Sequence, residues 1–193
     1  MDTHLLSYLL LHKPIDYSSS LLSHPLLTSG SFKSAAVLVP IVKRESGFNL
    51  ILTQRASHLR HHPSQISFPG GKAEPSDLSL IHTAIRETNE EIGIDPAHIK
   101  PLAKLNTIPT ISGYKVTPII ALIDEDYTTA IDYGEVSCTF EAPINHLINP
   151  RNTYKHHILN KKHTYDLIFI PFDKKIIWGV TAEIIHSMNY ITT

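Results

Sequence analysis

The stretch Phe68–Ile94, FPGGKAEPSDLSLIHTAIRETNEEIGI, decides how this chain is read. Its second half is spaced as a helix. Ile81, Ala84, Ile85, Thr88 and Ile92 recur at intervals that build one apolar or small stripe for a core. Asp77 or Ser76 can cap the start, and Gly93 stands where the backbone can turn left-handed and stop. On that helix Glu87 and Glu91 are one turn apart on one face, away from the apolar stripe, with Glu90 beside them. Like charges so placed repel, by about 0.2–0.5 kcal/mol per pair. Such carboxylates either face water or hold a hard divalent cation. Mg²⁺ and Mn²⁺ take oxygen ligands and bridge carboxylates to phosphate. Upstream, Pro69-Gly70-Gly71 interrupts any strand and lets the backbone approach a ligand closely. The segment points to metal-dependent phosphate chemistry.

Gly71, Asp77, Arg86, Glu87, Glu90, Glu91, Gly93 and Ile94 together resemble a Nudix box. Two positions depart from it. The acidic residue ahead of the spacer is Asp77 where the box has Glu, and eight residues rather than seven separate it from Arg86. The longer gap is similar to that of the coenzyme A pyrophosphatase branch. The flanks resemble the same branch. Leu52-Thr53-Gln54-Arg55-Ala56-Ser57-His58-Leu59-Arg60, followed by Gln65 to Gly71, is similar to its second motif, with Ser64 standing where that motif has Gly. Ser112 to Pro118 and Ile177 to Ala182 are similar to it as well. The resemblance spans residues 35 to 187.

The resemblance implies an α+β fold, an α/β/α sandwich with a mixed sheet between helices. It implies hydrolysis of the diphosphate bond of coenzyme A or its acyl derivatives, giving 3′,5′-ADP and (acyl-)4′-phosphopantetheine, with Mg²⁺ or Mn²⁺ as cofactor. Glu87 and Glu91 are the expected metal ligands. Glu90 is the expected catalytic carboxylate, whether it binds a second metal, orients the attacking water or acts as base. Gly71 can lend its backbone carbonyl to the metal. Arg86 can pair with Glu90 one turn on and fix it. Arg55 and Arg60 are expected on the substrate phosphates, because a guanidinium makes bidentate phosphate contacts. Other nucleotide diphosphates, such as ADP-ribose or a dinucleoside polyphosphate, share the box, and only the upstream motif separates them. A module that senses a nucleotide without cutting it has no need of the full set Glu87, Glu90 and Glu91.

The whole chain agrees with an ordinary globular enzyme. At 193 residues it is long enough for one domain with a full core, read as a helical extension over 1–30 and a hydrolase core over 35–187. Net charge is −1, which argues against nonspecific nucleic-acid binding and leaves a small-molecule nucleotide as the expected partner. The single cysteine, Cys138, has no intrachain partner, which fits a reducing compartment. No apolar run reaches the roughly 20 residues of a membrane span. The opening MDTHLLSYLLLHKP reads as a short packing helix rather than a signal peptide. A cytoplasmic location follows as the expectation.

Strands are expected at Ala35–Val42, Asn49–Gln54, Gln65–Phe68, Leu105–Ile108 and Val116–Ile123. A brief helix is expected over Pro143–Ile148, a hairpin from Tyr154–Leu159 and Thr164–Pro171, and a closing helix over Thr181–Tyr190 with Thr181 as cap. Trp178 is expected to pack that helix on the sheet. Tyr114 reads equally as core or as a ring stacking on substrate. His58, His61 and His62 cluster, but 13 histidines make clusters by chance and no cysteine lies nearby, so zinc is not expected.

Overall fold

A computed structural model describes residues 32–160 and 163–189. The expected helices near residues 4–12 and 16–28 lie outside these residues, as do Tyr190 and the tip of the expected hairpin.

The main sheet is built on β1 (Lys33–Arg44), β2 (Gly47–Arg55), β7 (Tyr114–Ile123) and β5 (Ile99–Lys104). Its central order is β3-β2-β1-β7-β5, where β3 is Ile66–Ser67. Three strands branch from that path: β4 (Gly70–Lys72) on β1, β6 (Ile108–Pro109) on β7, and β8 (Val136–Pro143) on β2. β1 and β7 run parallel while the other pairs are antiparallel, so the sheet is mixed. A second sheet has the order β11-β10-β9, from Lys175–Trp178, His163–Phe172 and Tyr154–Asn160.

Alternation along the strands feeds two cores, as period-two side chains require. Ala36, Leu38 and Val42 of β1, Ile51 of β2, and Ile119, Ala121 and Ile123 of β7 point to one face. There they meet Ala84 and Ile92 of α1 (Leu80–Ile92). Val39 and Ile41 of β1, Leu50 and Leu52 of β2 and Ile120 of β7 point to the other. They meet Ile168, Ile170 and Ile177 of the second sheet and Ala182, Ile184, Ile185 and Met188 of α3 (Val180–Met188). A short α2, Ile144–Leu147, closes the end of β8. The result is the expected α+β arrangement, a mixed sheet between helices, with the second sheet sharing one outer layer with α3. No described helix is long and apolar enough to cross a membrane.

Several local expectations change. The strand expected at Leu105–Ile108 is displaced. Ile99–Lys104 pairs with β7 through a bulge between Pro101 and Ala103, and only Ile108 and Pro109 pair again further on. Lys100, Pro101 and Lys104 are exposed on this edge strand, so its sequence carries no apolar run. β8 and β11 were not expected either. Both are edge strands with mixed residues; β8 pairs with β2, far away in sequence, whereas β11 turns straight back on β10, Lys175 pairing with Phe172. Ile81 is 40% exposed rather than in the core stripe, while Thr83 and Thr88 are buried with their hydroxyls bonded to Asp77 and to the Ala84 carbonyl. Ser79, not Asp77 or Ser76, caps α1 by accepting from the His82 N–H. Gly179 begins α3 at φ 65, and the Thr181 hydroxyl donates to the Ile66 carbonyl instead of capping. Trp178 is 39% exposed and borders a cavity, so it does not serve as helix packing alone.

Candidate active site

Two tight features place α1 against the glycine turn. Gly93 stops the helix at φ 69, with its N–H bonded to the Asn89 carbonyl. The loop before β8 then supplies two further donors, Ala130 N–H to the Ile92 carbonyl and Asp132 N–H to the Glu91 carbonyl. These bonds satisfy carbonyls that a helix end leaves open. At the other side, β4 pairs Gly71 with Ala36 and Gly70 with Val37. A Cβ on Gly71 would lie 2.4 Å from the Glu87 carboxyl carbon, so glycine is what lets that carboxylate reach the strand.

Arg86 is the hub that arranges the outer carboxylates. Its Nε and Nη2 donate to the two oxygens of Asp77 at 2.9 and 3.0 Å, a bidentate contact. Its Nη1 donates to Glu90 at 2.7 Å and to Glu87 at 3.1 Å. Asp77 also accepts from the Glu74 N–H and the Thr83 hydroxyl. Arg86 holds the Asp77 carboxyl well below the usual carboxylate range, and Asp77 raises the guanidinium in turn. The expected Arg86–Glu90 pair is present. The role of Asp77 is corrected from cap to anchor of Arg86.

Glu91 differs from its neighbours. It is 4% exposed, accepts from the Gly70 N–H at 3.2 Å, and has Arg55 Nη1 at 3.9 Å from its other oxygen. Burial pushes its pKa up to about 8, only partly offset by the Gly70 N–H and by Arg55. Burial also raises Glu87. Glu135, from the loop before β8, adds its negative charge to both. No sequence signal marked Glu135. It arrives through the bonds from Asp132 to Glu91 and from Ala56 N–H to the Glu135 carbonyl.

The donor set fits a hard divalent cation. The available groups are carboxylate oxygens, one of them packed against the Gly71 backbone, and a buried carboxylate raised to about 8 lacks a full countercharge. The oxygens of Glu87, Glu90 and Glu91 do not all lie within 4.8 Å of one another, because Glu90 leans out to Arg86 and Glu91 turns in to Gly70. Among the described residues, the group meeting that distance is His98, Asp124 and Asp126, on the outer surface between the turn before β5 and the end of β7.

A cavity of about 530 Å³ opens beside this centre. Gly70 and Arg55 belong to its wall, with Phe68, Ile111, Val116, Leu167, Trp178 and Ile184 giving it an apolar lining. The structure brings Arg55 to this wall as well as to Glu91. It leaves Arg60 exposed on the loop after β2 and outside the lining. Tyr114 is half-buried at the start of β7 and does not line the cavity. His62 does, and so does Trp178.

The family model for the NUDIX domain matches residues 32–159, and the chain belongs to that family. Its class is therefore that of a Nudix hydrolase. It is 35% identical over 156 residues to an uncharacterized Nudix hydrolase NudL of Enterobacter sp. (strain 638), covering 81% of each chain. To the protein of the same description in Yersinia pestis (strain Pestoides F) it is 37% identical over 169 residues, 88% of this chain and 84% of that one. Among solved structures, a Nudix hydrolase from M. smegmatis, RenU, superposes with a TM-score of 0.51 at 20% identity, over 58% of this chain and 71% of that chain. A MutT/nudix family protein from Enterococcus faecalis gives 0.50 at 14% identity, over 96% of this chain and 67% of that chain. At such identities the superpositions speak for the fold alone.

Proposed function

We propose that this protein hydrolyses the diphosphate bond of coenzyme A or its acyl derivatives, producing 3′,5′-ADP and (acyl-)4′-phosphopantetheine in the cytoplasm. One observation carries the reading: an apolar cavity and the box carboxylates share the wall made by Gly70 and Arg55. A substrate with a charged diphosphate and a long uncharged arm suits that juxtaposition. The motif from Leu52 to Gly71, which supplies Arg55, Phe68 and Gly70, supports the same branch.

Glu87 and Glu91 would hold Mg²⁺ or Mn²⁺, with the Gly71 carbonyl beside them. A bound divalent ion would neutralise the diphosphate and lower the pKa of a coordinated water. The chain's own residues do the rest. Arg86 keeps Glu90 at a fixed place on the open side of α1, where it can accept a proton from the attacking water. Arg55 holds a diphosphate oxygen at the cavity wall. Arg60, on the exposed loop, supplies charge for the more distant 3′-phosphate. The buried position of Glu91 keeps water from competing for its oxygens.

The test is a substrate panel with Mg²⁺ or Mn²⁺ over coenzyme A, acyl-coenzyme A, ADP-ribose, NADH and diadenosine polyphosphates. Coenzyme A or its acyl form should have the highest kcat/KM. ADP-ribose or a diadenosine polyphosphate ahead of both would overturn the reading.

A further inference from the structure

We infer that His62 is a second anion-binding group of the cavity, paired with Arg55 across Gln65, and that it contacts a phosphate of the substrate. The inference rests on the chain acting on a diphosphate, but not on that diphosphate being coenzyme A.

The cavity's charge pattern is one-sided. Of the residues that line it, Arg55 and His62 are the ones able to carry charge, and no carboxylate is among them. They are held as a unit. The Arg55 N–H donates to the Gln65 carbonyl at 3.0 Å, and the Gln65 N–H donates to the His62 carbonyl at 3.3 Å. All three residues line the cavity.

The backbone that delivers His62 is strained. His62 has φ 55 and Ser64 has φ 60, on either side of Pro63. Non-glycine residues take the left-handed region at a cost, and such positions gather at binding sites. Here the turn brings His62, a solvent-exposed residue, to the rim of the cavity.

A polar ligand would find few other partners. The Ser67 hydroxyl is shared with Thr53, the Thr110 hydroxyl with Ser112 and the Tyr114 carbonyl, and the Thr181 hydroxyl donates to Ile66. Arg55 Nε is buried and has no hydrogen-bond partner. Arg55, Gln65 and His62 together therefore make a polar wall facing an otherwise apolar chamber. An imidazole donates an N–H to phosphate whether neutral or protonated.

The test uses His62→Asn and His62→Lys. Asn tolerates a left-handed φ, so it removes the imidazole without disturbing the turn. Steady-state kinetics are measured on whichever diphosphate the wild-type protein cleaves best, with inorganic pyrophosphate as competitive inhibitor. His62→Asn should raise both KM and the inhibition constant roughly tenfold, as loss of a charge-assisted hydrogen bond does, with kcat within about twofold of wild type. His62→Lys should recover most of that loss. An unchanged KM and inhibition constant in His62→Asn, or no recovery with Lys, would overturn the inference. Failure of the coenzyme A reading shows instead in the wild-type substrate order and leaves this comparison standing.

Discussion

Replacing Gly71 with Ala perturbs the candidate metal centre through a single methyl group. The new Cβ would lie 2.4 Å from Cδ and Oε1 of Glu87, against an ordinary contact of at least 3.4 Å, so the carboxylate must retreat by about 1 Å. A displacement of that size at a reacting centre costs on the order of 10²-fold in rate, about 2.7 kcal/mol. The fold should survive. Gly71 has no left-handed φ, and its pairing with Ala36 in β4 accepts an alanine backbone. Gly70 provides the contrast. It sits at φ 154, and a Cβ there would meet the Ala36 carbonyl oxygen at 2.4 Å, so Gly70→Ala should destabilise the sheet itself. The assay is kcat at saturating substrate and metal, with Mn²⁺ affinity by paramagnetic resonance and Tm by calorimetry. Glu87→Asp in the Gly71→Ala background shortens the side chain by one methylene, roughly 1.5 Å, and makes room for the methyl. The two changes should therefore be non-additive, with the double variant losing less than the sum of the single losses. A Gly71→Ala protein with near-normal kcat and Mn²⁺ affinity would refute the assignment of Glu87.

Further outcomes follow from the same geometry. In metal-free protein the folded state keeps a proton on Glu91 that the unfolded chain has released. Its contribution is therefore fully present below about pH 4.5 and is lost as pH rises toward about 8. The slope is at most about 1.4 kcal/mol per pH unit. Denaturation in EDTA across this window should show it, and both saturating Mg²⁺ and Glu91→Gln should flatten it. The same slope in the Gln variant would place its origin elsewhere. Asp77→Asn loosens the bidentate hold on Arg86, and kcat should fall about 10–100-fold while the circular dichroism spectrum is kept. A kcat within twofold of wild type would show that Arg86 holds Glu90 without Asp77. Ser64→Gly relieves a left-handed φ of 60, and the unfolding free energy from urea denaturation should rise by about 0.5–1 kcal/mol, moving the midpoint up. A lowered midpoint would mean that the serine side chain compensates its strain.

The local elements were legible because local forces make them. The helix from Leu80 to Ile92 has apolar periodicity and a glycine stop, and α1 ends at Gly93 as expected. The strands carrying Val37–Val42 and Leu50–Leu52 alternate between two cores, and the hairpin of β9 and β10 pairs as its residues suggest. Ser64 is an instructive case. Where the resembling motif has glycine, this chain adopts a glycine-like φ all the same, so the turn is kept at the expense of strain. Edge strands were harder. β5, β8 and β11 present mixed residues to solvent; β5 and β8 are strands because of a partner far along the chain, while β11 is a short strand folded straight back on β10.

The sequence by itself determined the box, its charge and its helix, because those depend on residues a turn or two apart. Only the tertiary structure decided how the box carboxylates differ. Glu90 pairs outward with Arg86, while Glu91 is buried under Gly70, with Arg55 close to its other oxygen. Glu135, distant in sequence, joins them through a loop bonded to the end of α1. It likewise decided that His62, rather than Arg60, lines the cavity with Arg55. Spacing along a chain sets which face a side chain takes, but burial and the approach of distant segments set its charge state and its partners.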